Sequence, residues 1–353
     1  MKVPEIHTTT EVDTSAYTHI IDARSPSEFA EDHIPGAINL PVLDDEERAK
    51  VGTMYKQMSA FKARKLGAAL IARNVASMLE GPLADFDGSF HPLIYCWRGG
   101  LRSQSVATIF NKVGWRVGLL DGGYKRYRKH VMTTLDAVAP KVDCRILTGF
   151  TGMAKTRILH RMRERGFQVI DLEGLANHKG SLLGDALGEA QPTQKWFESQ
   201  LVHELSALDL GQPLWLESES NAIGQLHIPA GLWKQMGKAK VVEIKSSVPS
   251  RVSYLLEDYD YFCENGAFLK ERLGFLKRLR GGTTVSRWFD CIDSGRWEEL
   301  VESLLVDHYD LSYAKSMEKS DERVVKSYDL DQLDAAHMDD FISKLENEPA
   351  LRH

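Results

Sequence analysis

Short apolar runs alternate with stretches of helical spacing along most of the chain. Residues 18–22 form an apolar run closed by Asp22, the pattern of a buried strand. Ser25, Pro26 and Glu28 then supply an N-cap, a proline at the first helical position and a capping-box acid, so a short helix follows. The turn at Pro35-Gly36 ends it, and 37–40 reads as another strand. Residues 44–79 mix charged and apolar positions at helical spacing and predict one long helical stretch, with 81–92 a loop. The strand 93–95 runs straight into Cys96. After Gly99-Gly100 the spacing predicts a helix over 103–113 and a strand over 117–120, closed by Asp121-Gly122-Gly123. A helix over 124–138 leads to Pro140, and the pattern restarts: strand 144–147, loop 149–155, helix 156–165, strand 167–172. Further strands are expected at 213–217 and 240–244, and helices dominate from Arg251 onward. Such alternation implies parallel sheets covered on both faces. The fold class is therefore α/β, in two domains: 1–140, and 141–353 with a helical C-terminal part.

Composition agrees with that division. A chain of 353 residues suits two domains, and 43% hydrophobic with 27% charged residues is ordinary for a soluble globular protein. No apolar run approaches the roughly 20 residues of a membrane span, and the N-terminus lacks a signal-peptide core. The cytoplasm is the expected compartment. Cys96, Cys144, Cys263 and Cys291 are widely spaced without a C-x-x-C pair, which fits neither a disulfide framework nor a zinc site.

A net charge of −6 argues against indiscriminate coating of nucleic acid. The charge is nonetheless uneven. Residues 98–129 hold Arg98, Arg102, Lys112, Arg116, Lys125, Arg126, Arg128 and Lys129 against Asp121 alone. Lys155, Arg157, Arg161, Arg163 and Arg165 form a second cluster, and Lys270, Arg272, Lys277, Arg278 and Arg280 a third. A local basic surface can hold a polyanion through its phosphates; a solvated helix face explains each cluster alone equally well.

Two loops carry candidate chemistry. Cys96-Trp97-Arg98-Gly99-Gly100-Leu101-Arg102-Ser103 lies between a strand and a helix. A thiol there faces the helix N-terminus, where free N–H groups and the dipole, with Arg98 and Arg102 near, favour negative charge on the sulfur. Gly99 and Gly100 let the backbone bend so that several amides converge on a tetrahedral oxyanion. The C-x5-R-[ST] pattern is shared with protein phosphatases. The second loop, Gly149-Phe150-Thr151-Gly152-Met153-Ala154-Lys155-Thr156, resembles a Walker A motif with Ala154 in place of a glycine. Gly149, Thr151, Gly152, Lys155 and Thr156 would cradle phosphates, and Thr156 with Asp171, at the end of the following strand, would hold a magnesium ion. Left-handed backbone at Ala154 would cost on the order of 1 kcal/mol or more. Glu217 and Glu219 end another strand and could bind metal or cap a helix. A cradle of this kind recognises phosphate groups and not adenine.

The surroundings of the cysteine narrow its reading. Asp22-Ala23-Arg24-Ser25-Pro26-Ser27-Glu28-Phe29, followed by His33-Ile34-Pro35-Gly36-Ala37-Ile38-Asn39, resembles the rhodanese superfamily. In that family the segment packs beside a cysteine loop that carries sulfur or selenium, and Asp22 and Arg24 look like an ion pair bracing it. The loop here is one residue longer than the common C-x-x-G-x-R pattern, which suits a phosphate-sized ligand. A rhodanese-like domain ahead of a P-loop domain resembles the bacterial tRNA 2-selenouridine synthases over nearly the whole chain. Val51-Gly52-Thr53, Tyr55-Lys56-Gln57, the run from Asp171 to Ser181 with Asn177-His178-Lys179, and Glu217-Ser218-Glu219-Ser220 with Ile223-Gly224 carry the likeness.

The resemblance implies a tRNA bearing 2-thiouridine at the wobble position, selenium supplied as selenophosphate, and a geranylated intermediate made from geranyl diphosphate. Cys96 would be the nucleophile, with Arg98, Gly99, Gly100 and Arg102 on selenophosphate and the Walker-like loop on the diphosphate. Arg126, Arg128, Lys129 and His178 are the expected tRNA contacts. No firmly bound cofactor and no membrane are implied, and an enzyme making selenophosphate is a conceivable partner. Three other readings stay open at this level: an ATP-dependent tRNA sulfurtransferase using a Cys96 persulfide, a C-x5-R phosphatase fused to a kinase-like domain, and a non-catalytic tRNA-binding module.

Overall fold

The structure, a computed structural model, describes residues 5–179, 190–217, 220–258, 265–312, 321–348 and 351. Gly180, Ser181, Ser218, Glu219 and Cys263 lie outside the described residues. The chain divides into two compact units, one of Met1–Ala137 with Pro192–His203 and one of Val138–Gln191 with Glu204–His353.

The first unit is built on a parallel five-stranded sheet in the order β1-β5-β4-β2-β3. Its strands are β1 (His7–Thr9), β2 (His19–Asp22), β3 (Ala37–Asn39), β4 (Pro92–Tyr95) and β5 (Gly118–Leu120). β4 is central and buried at every position, which is why it reads as a continuous apolar run. The helices are α1 (Pro26–Glu31), α2 (Asp45–Gln57), α3 (Ala60–Glu80), α4 (Leu101–Val113) and α5 (Gly123–Val138). The single helix expected over 44–79 is two. Ser59 is extended and its hydroxyl accepts from the Lys62 N–H over 3.3 Å, so a side-chain cap starts α3 where the spacing alone would continue α2.

The second unit repeats the plan with a parallel sheet in the order β12-β11-β6-β8-β7. Here β6 is Cys144–Thr148, β7 Gln168–Val169, β8 Leu214–Glu217, β11 Lys240–Lys245 and β12 Val324–Asp329; β9 (Ala222–Ile223) and β10 (Leu226–His227) form a small hairpin. Burial holds the Cys144 thiol well up, at about 12, so it packs as a small apolar group. The strand expected over 167–172 is shorter, because the Asp171 carboxylate accepts from the Gly174 N–H at 2.7 Å and caps α7 (Leu172–Ala176) instead. The other helices are α6 (Lys155–Glu164), which precedes β7, α9 (Ala230–Met236), α10 (Val248–Asp258), α11 (Gly266–Gly274), α12 (Lys277–Arg280), α13 (Gly282–Asp293), α14 (Trp297–Leu304) and α15 (Ala335–Glu346), whereas most of α8 (Gln194–Ser206) belongs to the first unit. β12 lies within the region expected to be helical; as an edge strand with most positions exposed, it lacks an alternating apolar signal.

Candidate functional site

Cys96 leaves β4 directly and is 3% exposed. The Ser103 hydroxyl, in the first turn of α4, donates to its sulfur over 3.2 Å, so the thiol lies at the helix end where amides lack intrahelical partners. The loop is held from the far side by α5. The Tyr124 and Lys125 amides donate to the carbonyls of Cys96 and Trp97 at 2.8 and 3.1 Å. That approach demands Gly123, whose φ is +53° and whose position leaves no room for a Cβ beside the Cys96 carbonyl and the Gly99 amide. Gly99, with φ +68°, makes the reciprocal close approach to Leu120 and Gly122.

A buried bracket surrounds the loop. Arg24 donates to Asp22 at 2.6 to 3.1 Å and to the Asp32 carbonyl at 2.5 Å, and its guanidinium lies 4.0 Å from the centre of the Tyr124 ring. Asp22 and Arg24 are both fully buried, an ion pair that fixes the loop rather than meeting a ligand. The Tyr124 hydroxyl donates to Asp32 at 2.7 Å; burial raises the Asp32 carboxyl above its ordinary range, and its other oxygen has no partner. Arg98 is exposed. Arg102 is taken by Glu28 at 2.5 and 3.3 Å. Burial alone would lift the Glu28 carboxyl, but Arg102 outweighs it and holds the group below the usual range.

The phosphate loop joins β6 to α6. Ala154 adopts φ 54°, ψ 27°, the left-handed conformation that glycine would take without strain. Lys155 opens α6 and its ammonium donates back to the Gly149 carbonyl at 3.4 Å, spanning the loop from end to start. The Thr156 hydroxyl donates to Glu217 at 3.2 Å. Sheet order explains this pairing: β8 is hydrogen-bonded to β6, with Glu217 opposite Leu147, while β7 lies one strand further out. Asp171, at the end of β7, therefore does not meet Thr156; it caps α7 and binds His160 Nε2 at 2.7 Å. The structure thus brings Thr156 to Glu217 and not to Asp171, contrary to the pairing expected from the sequence. Glu217 is 1% exposed, and burial, with the charge of Glu173 behind it, pushes its carboxyl up to about 8 against the pull of Lys155. Its second oxygen has no partner. A buried carboxyl with an open oxygen beside a threonine hydroxyl fits a cation, which phosphate oxygens would help to ligate. Among the described residues no cluster of three or more His, Cys, Asp or Glu side chains is arranged for a metal.

Arg251, which no motif marks, also holds the phosphate loop. It is 2% exposed, donates to the Thr151 carbonyl at 2.8 Å and pairs with Asp310 at 2.7 and 3.0 Å. It lies about a hundred positions from the loop in sequence, so no local pattern marks it.

The expected tRNA contacts separate. Lys129 is exposed, and Arg126 is half-exposed with its guanidinium on Asp121. Arg128 is not available to a phosphate: it pairs with Glu198 and donates to the Lys195 carbonyl at 3.2 Å, because Pro192–His203 packs within the first unit. His178 is half-buried after the left-handed Asn177, with its amide on the Glu173 carbonyl at 3.1 Å.

The family model described as the tRNA 2-selenouridine synthase AAA domain matches residues 142–276, and that of the Rhodanese-like domain matches 9–130. The chain is 36% identical over 249 residues to the tRNA 2-selenouridine synthase of Nitrosomonas europaea, covering 69% of this chain and 64% of that protein. It is 33% identical over 329 residues to that of Alcanivorax borkumensis, covering 84% and 88%, and 32% identical over 342 residues to that of Shewanella halifaxensis, covering 87% and 90%. No helix among the described residues is long and apolar enough to cross a membrane. With a cysteine loop and a phosphate loop on successive parallel sheets, and with relatives of this likeness along most of its length, the chain belongs to the tRNA 2-selenouridine synthases, a family of tRNA-modifying transferases.

Proposed function

We propose that this protein replaces the sulfur of 2-thiouridine at the tRNA wobble position by selenium, in two steps served by its two loops. At the phosphate loop, the thiocarbonyl sulfur of the base attacks the first carbon of geranyl diphosphate. An S–C bond forms, the C–O bond to diphosphate breaks, and the base gives up its ring N–H proton. Lys155 and the loop amides stabilise the charge that develops on the departing diphosphate. Thr156 and Glu217 are the residues that would hold a magnesium ion there, and such an ion supplies further positive charge to the diphosphate oxygens.

At the cysteine loop, the Cys96 thiolate attacks the phosphorus of selenophosphate. An S–P bond forms, the P–Se bond breaks and hydroselenide leaves. Hydroselenide adds to C2 of the geranylated base, and the C–S bond breaks to release geranylthiolate. Water then cleaves the cysteinyl phosphate to phosphate and free thiol. The observation that carries this reading is the Ser103 hydroxyl on the Cys96 sulfur, in a C-x5-R-S loop long enough for a tetrahedral phosphate. The test is acid-quenched protein incubated with selenophosphate, digested and weighed peptide by peptide. A phosphate adduct on the Cys96 peptide, lost in Cys96→Ala, is the expected result; a selenium adduct would place the attack on selenium and overturn the step.

A further inference from the structure

The three basic clusters of the sequence meet different fates in the fold. After the phosphate loop, Arg157 pairs with Glu257, Arg161 with Asp339, Arg163 with Glu204 and Arg165 with Glu346. That face is neutralised by its own acids. Near the cysteine loop, Arg102, Arg126 and Arg128 are paired in the same way, while Arg98, Lys125 and Lys129 stay exposed. Residues 266–289 hold Lys270, Arg272, Lys277, Arg278, Arg280 and Arg287 against Glu271 as the one acid within the segment, with Lys270 paired to Asp293 and Arg287 to Asp307. Lys277 and Arg278 are exposed on the short helix α12, and neither makes an ion pair among the described residues. They are flanked by Phe275 and Leu279, which are 65% and 64% exposed, while Leu276 between them is buried in the core with Leu273, Val285 and Trp288.

We propose that Phe275, Lys277, Arg278 and Leu279 form the seat on which the single-stranded loop of the substrate tRNA docks, an inference that rests on the tRNA reading above. Splayed bases need exposed apolar and aromatic faces to stack on, and the phosphates between them need unpaired cations; duplex RNA offers no such bases. This surface supplies both within five residues, anchored from beneath by Leu276. It is also braced to the phosphate loop. Arg280 donates through Nε to His308 Nδ1 at 3.0 Å and through Nη2 to the His308 carbonyl at 2.9 Å. His308 lies in a π-helical turn, Leu305–Tyr309, that leads directly into Asp310. Asp310 holds Arg251, and Arg251 holds the Thr151 carbonyl. Direct hydrogen bonds and one helical turn thus connect the seat to the loop that would hold the diphosphate.

The test uses the full chain as wild type, Phe275→Ala and the double variant Lys277→Gln/Arg278→Gln, all at exposed positions. Binding is read by fluorescence anisotropy with a hairpin carrying the anticodon loop with 2-thiouridine, and with a blunt duplex of the stem sequence. Phe275→Ala should weaken hairpin binding about tenfold and leave duplex binding and the salt slope unchanged. The double variant should reduce the slope of log affinity against log salt by about 1.4, the share of two single-strand phosphate contacts. Hairpin affinity and slope equal to wild type in both variants would overturn the seat alone. A wild-type protein that bound neither hairpin nor whole tRNA would overturn the tRNA reading with it. Binding to phosphatidylserine vesicles that is lost in Phe275→Ala, with hairpin binding intact, would assign the surface to an anionic membrane and overturn the seat.

Discussion

The cysteine loop and the phosphate loop share one plan, a buried parallel strand feeding a turn and then a helix, but what surrounds them differs. Around Cys96 each acid lies against a cation of the chain: Asp22 on Arg24, Glu28 on Arg102, and Asp32, which lies 3.9 Å from Arg128, accepts from Tyr124 and keeps its other oxygen unpartnered. The loop thus suits an anion without an accompanying cation. Around Lys155 a carboxyl remains open, since Glu217 is buried against Thr156 with one oxygen unpartnered. That site suits an anion accompanied by a cation, as a diphosphate with magnesium would be. The backbones differ too. Glycines take the left-handed positions of the cysteine loop, whereas the phosphate loop places Ala154 there and carries strain. The two cradles are thus alike in plan and different in the charges and backbone around them.

The largest effect is expected of Cys96→Ala, which should abolish selenium incorporation while leaving tRNA binding near wild type, measured by nucleoside mass spectrometry and anisotropy. Cys96→Ser should fare little better, a hydroxyl being a much poorer nucleophile at neutral pH. Next comes Lys155→Ala, which removes the full positive charge of the second cradle. Geranylation should fall about a hundredfold, with selenation of tRNA already geranylated largely preserved; equal losses in both half-reactions would show one shared site. Arg128→Met should lower the stability of the first unit by about 3 kcal/mol in urea titration, because Glu198 and Asp32 are left without their cation. Unchanged stability would return Arg128 to the tRNA surface.

Smaller effects test the second unit. Burial and Arg280 hold His308 down to about 4, below its ordinary 6.5, so the folded state binds the proton less readily than the unfolded chain. The stability it contributes is present above about pH 6.5 and lost as pH falls toward 4. His308→Asn, which keeps an acceptor for Arg280, should flatten that acid-side fall in melting temperature; an identical pH profile would remove His308 as its source. Ala154→Gly should relieve the left-handed strain and stabilise the second unit by about 1 kcal/mol, partly offset by the greater freedom of glycine when unfolded. A loss of stability would contradict the strain.

Both loops were legible in the sequence because each is a local strand–loop–helix unit whose chemistry sits within eight residues. The Ser25–Glu28 cap and the Asp22–Arg24 brace were legible for the same reason. What could not be read locally depends on sheet order or on distant chain. Glu217 rather than Asp171 meets Thr156 because β8 and not β7 borders β6. Arg128 turns inward because Pro192–His203 joins the first unit. Ala154 could be flagged as a possible strained position from the motif, but its φ had to be seen. The break between α2 and α3 was in fact signalled, by Ser59 as a cap, and was lost against the continuous helical spacing around it.

In the proposed reaction the loops serve successive steps, the phosphate loop first. That order is tested most directly by giving Cys96→Ala tRNA with 2-thiouridine, geranyl diphosphate and selenophosphate, and identifying the wobble nucleoside by mass spectrometry. Geranylated 2-thiouridine should accumulate and no 2-selenouridine should form. Unmodified 2-thiouridine as the sole product, or 2-selenouridine at the wild-type level, would contradict it.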